Sequence, residues 1–374
     1  MYDFFKFILT TFYDKVKENS LKRKINQLYK SVSIVNIPIN IKKKHLELYK
    51  KFNVNCSTRW LEVYSSISEI VDYRYISEIN YYIHVEPILN NRSFSEAYCD
   101  KNFYHKYLDN ALLPRVYIRN IEGVYYDEKY EYIKNCEEIF THIPKDIEKI
   151  IVKRAVDSGG GKDVYLYKRD GNEWRELEHN KKLYLNSLDS IFKKNFLIQE
   201  YINQHPFYAQ FNSSSVNTVR VLTYRSVKTN EIIPLQAVLR IGKRGSIVDN
   251  QASGGIACGI RQDGSLNNFA VNKKGEKFTN FQGINFNQIG KIYKYQEIIK
   301  IALKIAKYFP YHRLLGFDFC VDSLDKIRLI EINNRNNEIN FFQMSNGPLF
   351  REYTEEVISY CIDKKRTFCF DYEF

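Results

Sequence analysis

The chain lacks the signatures on which several function classes depend. Its 7 cysteines, at positions 56, 99, 136, 258, 320, 361 and 369, are scattered, with no Cys-x-x-Cys pair. Neither a zinc ribbon nor a thioredoxin-type motif is therefore present. An odd cysteine count with no cleavable leader points to reduced thiols in a cytosol. The 7 histidines show no His-Glu-x-x-His or other ligand spacing. No zinc-finger, basic-zipper or RNA-recognition signature appears, so nucleic acid is not expected as a partner. The N-terminal apolar run is too short to span a bilayer and is interrupted by Lys6.

What remains is the composition of a globular protein, 44% hydrophobic and 27% charged over 374 residues. That length can bury a large core and hold two or three subdomains. The net charge of +12 favours an anionic partner: nucleotide, acidic glycan, anionic lipid surface or nucleic acid. Phe4, Phe5, Ile8, Leu9, Phe12 and Val16 fit one face of an N-terminal helix. The expected arrangement is a helix packed on the body of the protein. The alternative is a peripheral membrane helix with Lys15, Lys17, Lys22, Arg23 and Lys24 near anionic headgroups. Residues 25 to about 95 read as mainly helical and carry no recognisable chemistry, with a boundary signalled by Pro87 and Asn90-Asn91.

The most informative stretch is LLGFDFCVDSLDKIRLIEIN, from Leu314 to Asn333. It reads as two strands, Leu314–Val321 and Ile327–Asn333, joined by a polar turn. A period of two puts Glu331 and Asn333 on one face, and Asp318 can join them from the partner strand. Carboxylates among Phe317, Phe319, Leu329, Ile330 and Ile332 are costly to bury without a partner. A divalent cation with a preference for hard oxygen ligands, such as Mg2+, suits them. A half-buried hairpin whose acids face water is the plainer alternative.

Upstream, Lys101 is expected at the start of a helix, where the dipole favours anions. Ile150–Arg154 and Val164–Lys168 read as strands flanking Ser158, Gly159, Gly160, Gly161 and Lys162. Consecutive glycines let backbone amides approach phosphates, although the Walker spacing is not met. Lys153 precedes this loop and can reach a phosphate from the sheet. In FLIQEYINQHP, Gln199, Glu200, Tyr201 and Ile202 form either an adenine-contacting segment or an ordinary edge strand. Asn217, Arg220 and Arg240 lie on strands that otherwise read as sheet interior, where a guanidinium needs an anion. Asp249 and Asn250 make a polar loop beside them. Asn287–Phe309 is expected to be a long helix ended by Pro310, and Glu352–Cys361 a C-terminal one.

Lysine at a helix start, lysine before a glycine loop, a QEYI strand, arginine strands and Asp…Glu-x-Asn, in that order, resemble the ATP-grasp superfamily. VNTVRVLTYR, LRIGKRGSIVDNQASGGI and LLGFDFCVDS are most similar to its sugar-transfer-associated branch, related to alpha-L-glutamate-ligase-like proteins. The resemblance covers roughly residues 95–345. It implies an α+β fold in which two α+β subdomains clamp a nucleotide. Residues 1–94 would be a mainly helical accessory region, 95–203 the N-terminal subdomain with a glycine-rich lid, and 204–374 the C-terminal subdomain with a Mg2+-binding hairpin. ATP and Mg2+ are the implied cofactors. Lys101 and Lys153 match the family's phosphate-binding lysines, and Ser158, Gly159, Gly160, Gly161 and Lys162 its lid. Glu200, Tyr201 and Ile202, with Gln199 beside them, match the adenine-contacting linker. Asp318, Glu331 and Asn333 match the Mg2+ ligands. Arg220, Arg240 and Lys162 take catalytic roles on the phosphate or acyl intermediate, and Asn217, Asp249, Asn250 and Arg335 face substrate. After Glu331-Ile-Asn333 the chain departs from peptide-forming relatives: Asn334-Arg335-Asn336-Asn337-Glu338 replaces their Pro-Gly turn. That sets the acceptor apart from the amino acids of dipeptide ligases.

The implied activity is a carboxylate–amine ligase that proceeds through an acyl phosphate. It would act on small-molecule or glycan-linked carboxylate and amine substrates in surface-polysaccharide (capsule) biosynthesis. The expected location is cytoplasmic, with peripheral contact at the inner face of the membrane. A kinase that stops at a phosphate ester and a non-catalytic nucleotide-binding scaffold are the alternatives. The intact set Lys153, Asp318, Glu331 and Asn333 argues against the scaffold.

Overall fold

In the computed structural model, residues 2–52, 57–156, 163–249, 254–362 and 364 are described. Two antiparallel sheets organise them. The first is built from β1 (Val116–Ile121), β2 (Val124–Asp127), β3 (Lys149–Arg154), β4 (Val164–Asp170), β5 (Glu173–Glu176) and β6 (Phe196–Glu200), in the order β2-β1-β6-β3-β4-β5. The second uses β7 (Thr218–Arg225), β8 (Ile232–Ile241), β9 (Ile256–Ile260), β10 (Leu266–Val271) and β11 (Lys277–Phe278). After a short ribbon of β12 (Asn280–Phe281) and β13 (Ile284–Asn285), it is completed by β14 (Leu314–Val321) and β15 (Ile327–Asn333). Its order is β11-β10-β9-β8-β7-β14-β15.

Alternation along the central strands of this second sheet sends their side chains to two different destinations. Val219, Val221, Leu315, Phe317 and Phe319 pack with Ile298, Ile299, Ala302 and Ile305 of the helix Tyr295–Ala306. On the other face Leu222, Tyr224, Val238 and Leu314 join a core with Trp60, Tyr64, Tyr81 and Val85 of the N-terminal region and with Ile339 and Phe342 near the C-terminus. The region before residue 95 therefore shares its core with the second sheet. The first sheet has its own core, in which Ile118, Ile150, Val152 and Ile198 meet Leu188 and Phe192 of the helix Leu185–Phe192. Large apolar side chains buried this fully stabilise by roughly 1.5–3 kcal/mol each.

Three elements differ from the sequence expectation. The helix expected over Asn287–Phe309 runs only over Tyr295–Ala306. Gly290 and Lys294 have φ of 73° and 57°, and Ile292 donates its amide to Gly264 O. The preceding residues are thus held to the β9–β10 turn rather than wound into the helix. Lys101 lies in a turn between the short helices Ser95–Cys99 and Tyr104–Tyr107 instead of at a helix start. There Asp100 Oδ1 accepts from the Asn102 amide at 2.9 Å, while the Lys101 amide donates to Ala155 O at 3.0 Å. The N-terminal helix, Tyr2–Ser31, does not pack through Ile8, Leu9, Phe12 and Val16, which are exposed; Leu21, Ile25 and Leu28 are its buried apolar residues. Among the described residues, no helix is long and apolar enough to cross a membrane.

Candidate active site

The site grows from one row of side chains across β7, β14 and β15. Register places Arg220 opposite Asp318, and Asp318 opposite Glu331. Directly paired residues share a face, so the guanidinium and both carboxylates emerge together. The face is selected by a bulge. On β14, Phe319 pairs with Leu329 but Asp318 pairs with Glu331, which leaves Ile330 without a partner. A strict period of two would put Leu329 on the same side as Glu331. The extra residue lets Leu329 enter the core while both Ile330 and Glu331 reach the cavity wall.

Asp318 is fully engaged. Arg220 grips it through Nε–Oδ1 at 2.6 Å and Nη2–Oδ2 at 2.5 Å, and Arg240 Nη1 adds a bond to Oδ2 at 3.1 Å. Arg240 Nη2 also lies 3.4 Å from Asp249 Oδ1, whose other oxygen accepts from Thr218 Oγ1. Burial disfavours the Arg220 guanidinium, but the bidentate Asp318 outweighs it and raises its pKa. Asp249 is raised by burial, with Arg240 opposing.

The lysines come from the other side. Lys101 Nζ is 2.8 Å from Glu331 Oε1. Burial alone would raise the Glu331 carboxyl, but Lys101, Arg220 and Lys153 together hold it at about 2. Lys153, at the end of β3, is only 7% exposed. Its pKa is pulled down to about 7 by burial first and by Lys101 second, with Glu331 opposing. Among the described residues Lys153 makes no ion pair of its own. The site therefore holds a buried amine with no ion-pair partner among the described residues.

These groups line one cavity of about 1220 Å³ between the two sheets. Ile151, Lys153, Arg154 and Val164 form its wall on the first sheet, and Thr218, Arg220, Arg240, Asp318, Ile330, Glu331 and Asn333 its wall on the second. Asp249 and Arg335 also line it; Arg335 lies against Glu96 at 3.5 Å. Gln199, Glu200, Tyr201 and Ile202 do not line the cavity. Gln199 and Ile202 are buried, Glu200 pairs with Arg328, and Tyr201 stacks under Lys149 at 5.0 Å. Asn217 also lies away from it, wholly buried, and ties its own chain segment together through Gln204 Oε1, Tyr208 O and Asn212 O. Ser158, Gly159, Gly160, Gly161, Lys162 and Asn250 fall outside the described residues.

Sequence reasoning overlooked how the loop after β15 is held. Glu86, wholly buried, accepts from the Asn336 and Asn337 amides, each at 3.0 Å, and from Tyr81 Oη. Asn90 Nδ2 donates to Leu314 O and to Asn334 O, both at 2.7 Å. Gly316 leaves room for this loop, since a Cβ there would meet Asn337 Oδ1 at 2.6 Å. A carboxylate inside the apolar stretch YYIHVEPIL was the available signal for Glu86.

The residues at the floor of the cavity fit a hard divalent cation in part. Glu331 and Asn333 offer a carboxylate and an amide. Asn333 Nδ2 is buried with no hydrogen-bond partner among the described residues; as a donor it suits an anion such as a phosphate oxygen, while the amide oxygen is the atom that suits a cation. Asp318 has the right chemistry, but three of its acceptor positions are taken by Arg220 and Arg240.

Solved structures to which the chain shows similarity include N5-carboxyaminoimidazole synthetase from Staphylococcus aureus complexed with ADP (13% identity, TM-score 0.36, covering 76% of this chain and 52% of that one). The ATP-grasp ligase PsnB complexed with minimal precursor is another (14%, TM-score 0.37, 73% and 64%). A third is the biotin carboxylase domain of 2-oxoglutarate carboxylase from Hydrogenobacter thermophilus, in complex with MgADP, ADP and bicarbonate (14%, TM-score 0.38, 72% and 45%). The chain thus spans about half to two thirds of the length of these structures. No curated protein matches it. Residues 80–358 match the sugar-transfer associated ATP-grasp family, a wider span than the sequence motifs alone suggested, and the chain belongs to that family.

Proposed function

We propose that the chain is an ATP- and Mg2+-dependent carboxylate–amine ligase. The observation that carries this reading is the pair of buried amines, Lys101 and Lys153, converging on a cavity in which Lys153 has no ion-pair partner among the described residues. A polyphosphate supplies that missing negative charge. Lys153 would hold a phosphate from the floor, and Lys101 would share itself between phosphate and Glu331. Glu331 and Asn333 would hold Mg2+, which when bound neutralises phosphate charge and aligns the transferred group. Arg220 and Arg240, anchored by Asp318, would offer guanidinium donors to a carboxylate substrate or its developing acyl phosphate.

Phosphoryl transfer to a carboxylate asks for positioning and charge neutralisation rather than a protein nucleophile. An incoming amine then displaces phosphate from the acyl group. The loop Asn334–Glu338 borders the cavity on the acceptor side in this reading. Its Arg335 could hold a substrate carboxylate, and its sequence differs from the turn of amino-acid dipeptide ligases. The family's association with sugar transfer supports a sugar acid or an amino acid of surface-polysaccharide assembly as substrate.

Purified protein incubated with ATP, Mg2+ and hydroxylamine tests the chemistry. Accumulation of a hydroxamate from a candidate carboxylate, with ADP and phosphate released, is the expected result. A stable phosphate ester on a hydroxyl acceptor would replace this reading with kinase action. The absence of ADP release with every acceptor tried would replace it with a nucleotide-binding scaffold.

A further inference from the structure

The helix Tyr2–Ser31 changes the side on which it is apolar. In its second half Leu21, Ile25 and Leu28 are buried, and Ile25 and Leu28 join the core with Trp60 and Tyr64. At 3.6 residues per turn, Ile8, Leu9, Phe12 and Val16 share one face on roughly the opposite side of the helix. They are 45%, 43%, 68% and 49% exposed. The polar side of this first half turns inward instead. Lys17 Nζ lies 3.3 Å from Asn336 Oδ1 and 4.8 Å over the Tyr82 ring. A helix that turns its polar side to the protein and its apolar side to solvent reverses the usual order of a surface helix.

The charges around the outward face are of one sign. Lys15, Lys22 and Arg23 are exposed and fall within or beside the apolar stripe. Glu18 reaches this edge only to pair with Lys22 at 2.5 Å. The whole chain carries +12. A second copy of the same face would bring these cations against themselves, with no acid on the stripe to offset them. An anionic bilayer matches both features, since apolar side chains enter the headgroup boundary while lysine and arginine meet lipid phosphates.

We propose that residues 8–23 dock this face on an anionic membrane surface. The helix lies in the interface without crossing it. The Lys17–Asn336 contact then keeps the rim of the cavity, which Asn336 lines, close to the lipid. The proposal goes beyond the catalytic reading and stands whatever the site turns over.

Flotation of the full-length chain tests it, with vesicles of phosphatidylcholine alone and of phosphatidylcholine mixed with phosphatidylglycerol. Binding should be at least about tenfold stronger to the anionic vesicles and should weaken with added salt. Phe12→Asp and the pair Lys15→Glu/Arg23→Glu should each lower it by about tenfold, with helical content and soluble nucleotide binding unchanged. Equal or absent binding of the unaltered chain to the two vesicle types would overturn the proposal, as would variants that bind as well as the parent. A dimer in vesicle-free solution that Phe12→Asp abolishes, with no vesicle binding, would overturn it in favour of a second copy.

Discussion

A buried ammonium beside a second ammonium is unfavourable, and Lys153 relieves the conflict by holding its proton weakly, with a pKa near 7. An anion bound at the site restores the charged form and moves that pKa back toward the ordinary lysine value. At pH 8 the free chain therefore carries a mostly neutral Lys153 and the complex a charged one. Binding of an ATP analogue should take up about one proton there, and much less below pH 6, where Lys153 is already protonated. Calorimetry in buffers of different ionisation enthalpy measures this, and Lys153→Met should abolish it. Uptake that persists in the variant would assign the proton elsewhere. Asp318 provides a second test. Removing it in Asp318→Ala leaves Arg220 and Arg240 buried against each other, at a cost of roughly 3–5 kcal/mol, read from the denaturant midpoint; an unchanged midpoint would contradict the network. At this scale the sequence singled out Lys153, Arg220, Arg240, Asp318 and Glu331, because charged residues inside apolar strands are conspicuous, and the structure brings them to one cavity with Lys101, which lies in a turn. The sequence did not show that Asp318 belongs to the arginines first, since pairing across β7 and β14 joins residues 98 positions apart.

The strands β14 and β15 were legible as elements, and their bounds match the expectation from residue pattern. The bulge between them was not, because an inserted residue breaks no propensity rule and shows only in register. Deleting Ile330 should restore simple alternation without moving Leu329, Glu331, Ile332 or Asn333 to the other face. The variant is expected to fold, with affinity for an ATP analogue lowered by about tenfold through loss of one apolar wall group. Unaltered affinity would show that Ile330 does not touch the ligand. The loop after β15 offers a comparison. Glu86→Gln weakens the hold on the Asn336 and Asn337 amides at a cost of about 1–3 kcal/mol. Steady-state kinetics should show a raised KM for the acceptor with KM for ATP unchanged; a change confined to ATP would move this loop to the nucleotide side. The long helix misread over Asn287–Phe309 has a similar origin. Its apolar period continues through residues that Gly290, Lys294 and the β9–β10 turn hold out of the helix.

For the molecule as a whole, the α+β class and the ATP-grasp fold were visible in the order of motifs. The packing of the N-terminal region was less so. Trp60, Tyr64, Tyr81 and Val85 share one core with Leu222, Tyr224, Val238 and Leu314 of the second sheet, and Glu86 and Asn90 from the same region brace the cavity loop. Sequence pattern reports which residues are apolar but not which distant surface they meet, so this region read as an accessory layer. The central claim is that the cavity between the two sheets binds Mg-ATP. Its most direct test is calorimetric titration of the intact chain and of Glu331→Ala with a non-hydrolysable ATP analogue, each with and without Mg2+. Binding to the unaltered chain that strengthens with Mg2+, and loses at least about tenfold of that gain in Glu331→Ala, is the predicted result. No binding, or binding indifferent both to Mg2+ and to Glu331, would contradict it.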